Sequence, residues 1–182
     1  MRLLLTERDR RWQAIRRMME EKDLSILIAA SNAMWTGHVR YLSNYPPHFG
    51  YAYVIFPRDG TPTQFVFSKI QEQVASKRWI ADSRQTSNYP DAIVKRIKEL
   101  DYRGRRVGLV GVENISFTIY EYMKKELAEA TLVDATKHVF DLRMIKSAEE
   151  QEIARECAAI TDGLFSRVKE VAKVGMSEFD IY

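Results

Sequence analysis

The sequence predicts an α/β fold, a mixed β-sheet flanked by helices and followed by one long helix. Three observations carry that expectation. Segments with a helical apolar repeat alternate with short apolar runs of strand length, the pattern of a sheet with helices on its faces. One run, Leu24 to Ala30, is apolar almost throughout, as a strand covered on both faces must be, which puts it at the sheet centre. Strand-like segments also follow one another directly between residues 38 and 67, which implies antiparallel pairing and a mixed sheet.

Thr6 is the expected N-cap of a first helix reaching about Glu21, with Glu7 and Asp9 near its positive end. Trp12, Ile15, Met18 and Met19 form its apolar side, the two methionines as core or core-margin packing. Arg8, Arg10, Arg11, Arg16 and Arg17 cover the rest as a solvated face, and Leu3, Leu4 and Leu5 are expected to pack beside the helix. After Leu24–Ala30, His38–Ser43 and Tyr51–Phe56 read as strands. They are separated by the loop Asn44–Gly50, where Pro46 and Pro47 forbid regular pairing. Arg58, Asp59 and Gly60 turn into a strand near Thr63–Phe67.

Helical character returns at Ser68–Arg78, followed by a strand-like piece at Trp79–Asp82 and a helix over about Asp91–Leu100 bearing Ile93, Val94, Ile97 and Leu100. Gly104 marks a turn into the apolar strand Val107–Val112. Ser116 caps a helix carrying Ile119, Tyr120, Met123 and Leu127, and Thr131–Val133 closes the series as a short strand. A polar connection between Asp134 and Ser147 holds the expected boundary, giving a domain over 1–136 and a second segment over 137–182.

Ser147 opens the long helix with a capping box completed by Glu150. Ile153, Cys157, Ile160, Leu164, Val168 and Val171 then make a stripe built for burial, with Cys157 as a small buried hydrophobe, and Gly175 ends the helix. Ser177 and Asp180 repeat the capping arrangement, yet the sequence stops at Tyr182 before another turn closes, so a second domain is expected to have been cut short.

The 182 residues are 46% apolar, enough for one ordinary core. The net charge of +3 divides as 21 basic against 16 acidic residues up to 136 and 7 against 9 beyond, an asymmetry too mild to call for a nucleic-acid partner. The single cysteine excludes an intrachain disulfide framework and fits a reducing, cytoplasmic compartment. No apolar run approaches the roughly 18 residues of a membrane span.

Chemistry is sparse. His38, His48 and His138 are scattered and lack the spacing of a helical zinc motif, so each reads as a surface or hydrogen-bonded structural residue. Gly108–Asn114, GLVGVEN, lacks the third glycine of a dinucleotide fingerprint, and there is no P-loop or nucleophile elbow. The loop Asn44–Gly50 is the more informative segment, because two prolines stiffen a backbone that carries Tyr45, His48 and Phe49. Such aromatics either serve recognition or fold back over the sheet edge.

The segment LRMIKSAEEQEIARECAAITDGLFSRVKEVAKVGMSE resembles the junction at which the N-terminal domain of creatinase and prolidase-type metallohydrolases passes into the pita-bread catalytic domain. HVRYLSNY followed by YAYVIFPRDGTP resembles paired central strands of that N-terminal domain, although His38 stands where relatives often carry asparagine. The resemblance implies a creatinase N-terminal domain followed by the opening helix of a pita-bread domain. Relatives are mostly Xaa-Pro dipeptidases and aminopeptidases that use two divalent ions, commonly manganese, cobalt or zinc, and a bridging hydroxide that attacks the amide carbon.

All five metal ligands of that pattern fall beyond Tyr182, so the resemblance implies no catalytic residue, metal ligand or cofactor within this chain. It implies a homodimer, a partner in the protein's own catalytic domain and a peptide substrate for the whole protein, while charge and hydropathy add neither a nucleic-acid nor a membrane partner. His48 and Phe49 correspond to a region that contributes to the substrate entrance, in some relatives that of the neighbouring subunit. A creatinase-like amidinohydrolase and a noncatalytic pita-bread interaction module are the other expectations the same residues allow.

Overall fold

The computed structural model describes residues 3–100, 102–103 and 105–181. The turn expected at Gly104 and the terminal Tyr182 lie outside them. The chain divides into two compact units, one spanning Leu4–Ile145 and the other made of the residues from Lys146 onward together with Leu3.

In the first unit the elements run α1 (Leu5–Glu21), β1 (Ile26–Asn32), α2 (Gly37–Ser43), β2 (Tyr51–Pro57), β3 (Thr63–Val66), α3 (Lys69–Ala75) and β4 (Ser83–Gln85). They continue as α4 (Tyr89–Lys98), β5 (Arg106–Val110), α5 (Phe117–Glu126), β6 (Thr131–Asp134) and α6 (Thr136–Met144). The six strands form one mixed sheet in the order β4-β3-β2-β1-β5-β6, with β1 central as its apolar run requires. Only β2 runs against the others. It pairs antiparallel with β1 (Ile28 opposite Ile55) and with β3 (Val54 opposite Gln64), while β1–β5, β5–β6 and β3–β4 are parallel.

Side chains alternate across the pleat, so β1 feeds two cores. Leu27 and Ala29 join Ile15, Met18 and Met19 of α1, Val39 and Leu42 of α2, and Val139 of α6. Ile26, Ile28 and Ala30 join Ile93, Val94 and Ile97 of α4 and Ile119 and Met123 of α5. Each large apolar side chain fully buried this way contributes roughly 1.5–3 kcal/mol.

Several local expectations are corrected. His38–Ser43, read as a strand, is the helix α2. Six residues cannot distinguish the two periods, and burial of His38, Val39, Tyr41, Leu42 and Ser43 follows helical spacing. Ser31 Oγ accepts from the Val39 amide, Ser43 Oγ donates back to the Val39 carbonyl, and Asn44 ends the helix in the left-handed region at φ 54°. Accordingly HVRYLSNY is no central strand, although YAYVIFP is.

α1 starts at Leu5 after an uncapped Leu4, so Thr6 lies inside it, and Leu4 and Leu5 are exposed. Arg11 is not on a solvated face; it is buried with Glu7. Trp79 and Ile80 are buried anchors of a loop, and the strand there begins only at Ser83. The polar connection expected after Asp134 is largely α6, whose Val139 is buried in the core with Leu142 packed against it, while Phe140 and Met144 are exposed.

The second unit consists of α7 (Ala148–Val171) and the short α8 (Glu178–Ile181). The capping box is complete: Ser147 Oγ accepts from the Glu150 amide at 3.1 Å, and Glu150 Oε2 accepts from the Ser147 amide at 2.9 Å. α7 ends at Val171 rather than at Gly175, which lies at φ 93° in the turn to α8. At that turn Asp180 accepts from both the amide and the hydroxyl of Ser177. None of the residues of α7 is buried, and Cys157 is exposed. The stripe from Ile153 to Val171 is therefore present as a pattern without the expected burial. No helix among the described residues is long and apolar enough to cross a membrane.

Candidate functional site

The loop from Asn44 to Gly50 is anchored inward at its start and turned outward at its end. Tyr45 is buried in the core, and burial pushes its phenol up to about 12. Pro47 is buried, whereas His48 is exposed and Phe49 is 52% exposed. The His48 ring meets Tyr45 edge-on at 6.3 Å, and Phe49 meets Phe67 edge-on at 6.2 Å. Of the two aromatics left open between recognition and edge-covering, Tyr45 covers the sheet and Phe49 is presented. Behind them Tyr51 stacks on Tyr53, and the Tyr89 hydroxyl donates to the Tyr51 carbonyl.

A second polar arrangement lies at the carboxyl ends of β1 and β5. The helices that follow these adjacent parallel strands depart to opposite faces, the geometry that opens a crevice in α/β sheets. Asn32 Nδ2 donates to Asn114 Oδ1 at 2.7 Å, and Asn32 Oδ1 accepts from the amides of Met34 and Trp35. That turn projects Met34 and Trp35, which are 85% and 70% exposed. The crevice is a cleft of about 750 Å³ whose lining includes Trp35, His38, Glu113, Thr136, Phe140 and Arg143.

His38 sits at its floor with Nδ1 3.1 Å from Arg143 Nη1 and Nε2 3.5 Å from Glu113 Oε1. Arginine only donates, so Nδ1 accepts and the neutral ring carries its proton on Nε2, facing Glu113. Burial, and then the Arg143 charge, draw the His38 pKa below its ordinary value. Two glycines make room: a Cβ on Gly37 would collide with the Arg143 guanidinium. One on Gly111, held at φ 73°, would lie 2.5 Å from the Ala30 carbonyl oxygen and 2.8 Å from the His38 ring.

Sequence reading missed this cluster because residues 38, 113 and 143 are joined only by the topology. Its one local trace is Gly111 in GLVGVEN, a glycine demanded by backbone conformation and close approach, with no nucleotide role needed to account for it. His48 and Phe49 are adjacent and outward but stand apart from the lining of this cleft. His138 does not line it either. Among the described residues no group of three or more His, Cys, Asp and Glu side chains is placed to hold a metal ion.

Residues 11–145 match the sequence model of the Creatinase/Prolidase N-terminal domain. The chain belongs to that family. Over 94% of its length this creatinase/prolidase chain is 29% identical to an uncharacterised hydrolase/peptidase, y4tL, of Sinorhizobium fredii, of which it covers 47%. It is 28% identical, over 92% of its length, to the ectoine hydrolase of Halomonas elongata, of which it covers 44%. The chain thus spans about half the length of these curated relatives.

Among solved structures, the X-Pro aminopeptidase of Thermotoga maritima superposes at TM-score 0.78 with 15% identity, covering 93% of this chain and 46% of that one. The Xaa-Pro dipeptidase of Bacillus anthracis gives 0.71 with 20% identity, covering 96% and 46%. A proline dipeptidase chain from Streptococcus pneumoniae gives 0.60 with 21% identity, covering 74% of this chain and 98% of that one. At these identities the structures establish the fold: the mixed sheet flanked by helices is that of creatinase/prolidase N-terminal domains.

Proposed function

We propose that this chain is the N-terminal, dimerisation and substrate-access part of a metal-dependent Xaa-Pro peptidase, and that the hydrolytic groups belong to a catalytic domain outside these 182 residues. The observation that carries the reading is the family match over 11–145, together with structural neighbours described as Xaa-Pro dipeptidases and aminopeptidases. Two divalent ions, manganese, cobalt or zinc, would be held by that catalytic domain and would supply the activated hydroxide. The present residues contribute shape. His48 and Phe49 line the substrate entrance, in the dimer that of the partner subunit, and a stiff loop with one inward and one outward aromatic suits that task because it offers apolar surface without further ordering cost. The protein acts in the cytoplasm, where Cys157, the one cysteine of these 182 residues, stays reduced.

The similarity to ectoine hydrolase favours a second reading, an amidinohydrolase-type enzyme acting on a small molecule other than an Xaa-Pro peptide. One set of assays separates the two. The 182-residue chain with added manganese is expected to leave Xaa-Pro dipeptides intact, whereas the chain joined to its own catalytic domain cleaves them. Turnover by the 182 residues alone overturns the assignment of chemistry elsewhere, and hydrolysis of creatine-like or ectoine-like compounds in place of dipeptides establishes the second reading. Replacing His48 and Phe49 together in the active protein should alter the ranking of several dipeptides; an unchanged ranking removes the entrance role.

A further inference from the structure

Gln71 lies in the first turn of α3, where Ser68 Oγ accepts from its backbone N–H at 3.3 Å. Its residue surface is only 3% exposed, and the side-chain amide is used in both senses. Nε2 donates to the Phe49 carbonyl at 3.0 Å, and Oε1 accepts from the Phe67 amide at 3.1 Å. The β2–β3 ladder runs from Ile55 opposite Thr63 to Ala52 opposite Val66. Phe67 therefore follows the last pair on β3, and Phe49 lies on the approach to β2.

A primary amide is a close mimic of a peptide group, offering one acceptor and a donor in a plane. The Gln71 side chain thus adds one more rung where the backbone ladder has stopped, and it joins the outward half of the loop to the end of β3. Nearby bonds brace it: Glu72 Oε1 accepts from the Gln85 amide at 2.8 Å, and Gln85 Nε2 donates to the Phe67 carbonyl at 3.3 Å. The backbones that carry the edge-on pair of Phe49 and Phe67 are both bonded to this one buried amide.

We propose that Gln71 is the positioning residue of the His48–Phe49 loop, holding Phe49 in its presented conformation so that binding the substrate does not have to order it. The role rests on the reading of that loop as a substrate entrance, so the test has two arms.

In the 182-residue chain, hydrogen exchange at the Phe67 amide and chymotryptic cleavage after Phe49 report the link directly. Gln71→Met removes both bonds at similar volume and should raise both rates on the order of tenfold. Gln71→Glu keeps the acceptor for Phe67 and loses the donor to Phe49, so cleavage should accelerate while Phe67 stays protected. General destabilisation does not separate the two readouts, and Gln71→Glu carries the test if Gln71→Met does not fold. Unchanged rates in Gln71→Met, or loss of both protections together in Gln71→Glu, overturn the link itself.

In the protein that includes the catalytic domain, either variant should raise KM for an Xaa-Pro dipeptide on the order of tenfold with kcat within about twofold. A loosened loop with unchanged KM overturns the entrance reading and the positioning role with it, while the link measured in the first arm stands. An equal fall in kcat and kcat/KM likewise overturns positioning through the loop.

Discussion

Replacing Glu7 with glutamine tests how α1 is fastened to α2 and to the loop at Trp79. Glu7 is 3% exposed, and its carboxylate accepts from Arg10 Nε and Nη2 and from Arg11 Nε at 2.7–2.8 Å. Arg11 is itself buried, with its guanidinium 4.6 Å from the Tyr41 ring and 5.1 Å from Trp79, and it donates to the Tyr41 carbonyl. Burial by itself would push the Glu7 carboxyl up; the bonds and charges of Arg10 and Arg11 outweigh it and hold the pKa at about 2 against an ordinary 4.5.

Because the folded pKa lies below the unfolded one, this stabilisation is complete above about pH 4.5 and fades as pH falls toward 2. A shift of that size corresponds to about 3 kcal/mol at pH 7 and about 1 kcal/mol at pH 3. Trp12, Trp35 and Trp79 are the only tryptophans in the sequence and all lie between Leu4 and Ile145, so fluorescence in a urea titration reads this unit. Glu7→Gln should lower stability by about 3 kcal/mol at pH 7 and by about 1 kcal/mol at pH 3. A loss below about 1 kcal/mol at pH 7, or a difference that does not shrink with acidification, refutes the reasoning.

Gly111→Ala should cost on the order of 2–3 kcal/mol in the same titration, because the new Cβ meets the Ala30 carbonyl in the central strand at a left-handed backbone position. A loss within about 0.5 kcal/mol would show that the β5 end relaxes freely. Ser147→Ala should lower the far-ultraviolet helical signal by removing about 1 kcal/mol of capping from a helix with no buried residue, and Ser147→Thr should restore most of it. Equal signals in Ser147→Ala and the parent sequence would count against the box.

The sheet was legible where burial leaves a periodic trace. Leu24–Ala30 announced a strand covered on both faces, and Ser116 and Ser147 announced helix starts because a hydroxyl beside an apolar repeat satisfies otherwise orphaned amides. What failed was decided by distant partners. His38–Ser43 has a strand-former's composition, yet Ser31 on the neighbouring strand takes the Val39 amide and tertiary packing selects the helix. Arg11 looked like one of five surface arginines. Its burial depends on Tyr41 and Trp79, thirty and sixty-eight positions away in sequence, which no window around α1 contains.

The candidate site divides along the same line. The outward loop was visible because prolines and aromatics are local chemistry, whereas the element that holds it was not. Gln71 is a polar residue in an ordinary helix turn, and only the ending of the β2–β3 ladder at Ala52, three positions from Phe49, gives its amide a task. The His38 cleft shows the converse: Gly111 belongs to a weak nucleotide-like pattern in the sequence, while its geometry, like that of Gly37, serves the packing of a histidine and an arginine. In both places the backbone dictates which side chain is needed, by an unfinished ladder at Phe49 and by a missing Cβ at Gly37 and Gly111. Chemistry-bearing residue types alone therefore pointed to the presented surface, and the residues that determine its shape emerged only once strand register had fixed which backbone groups remained to be satisfied.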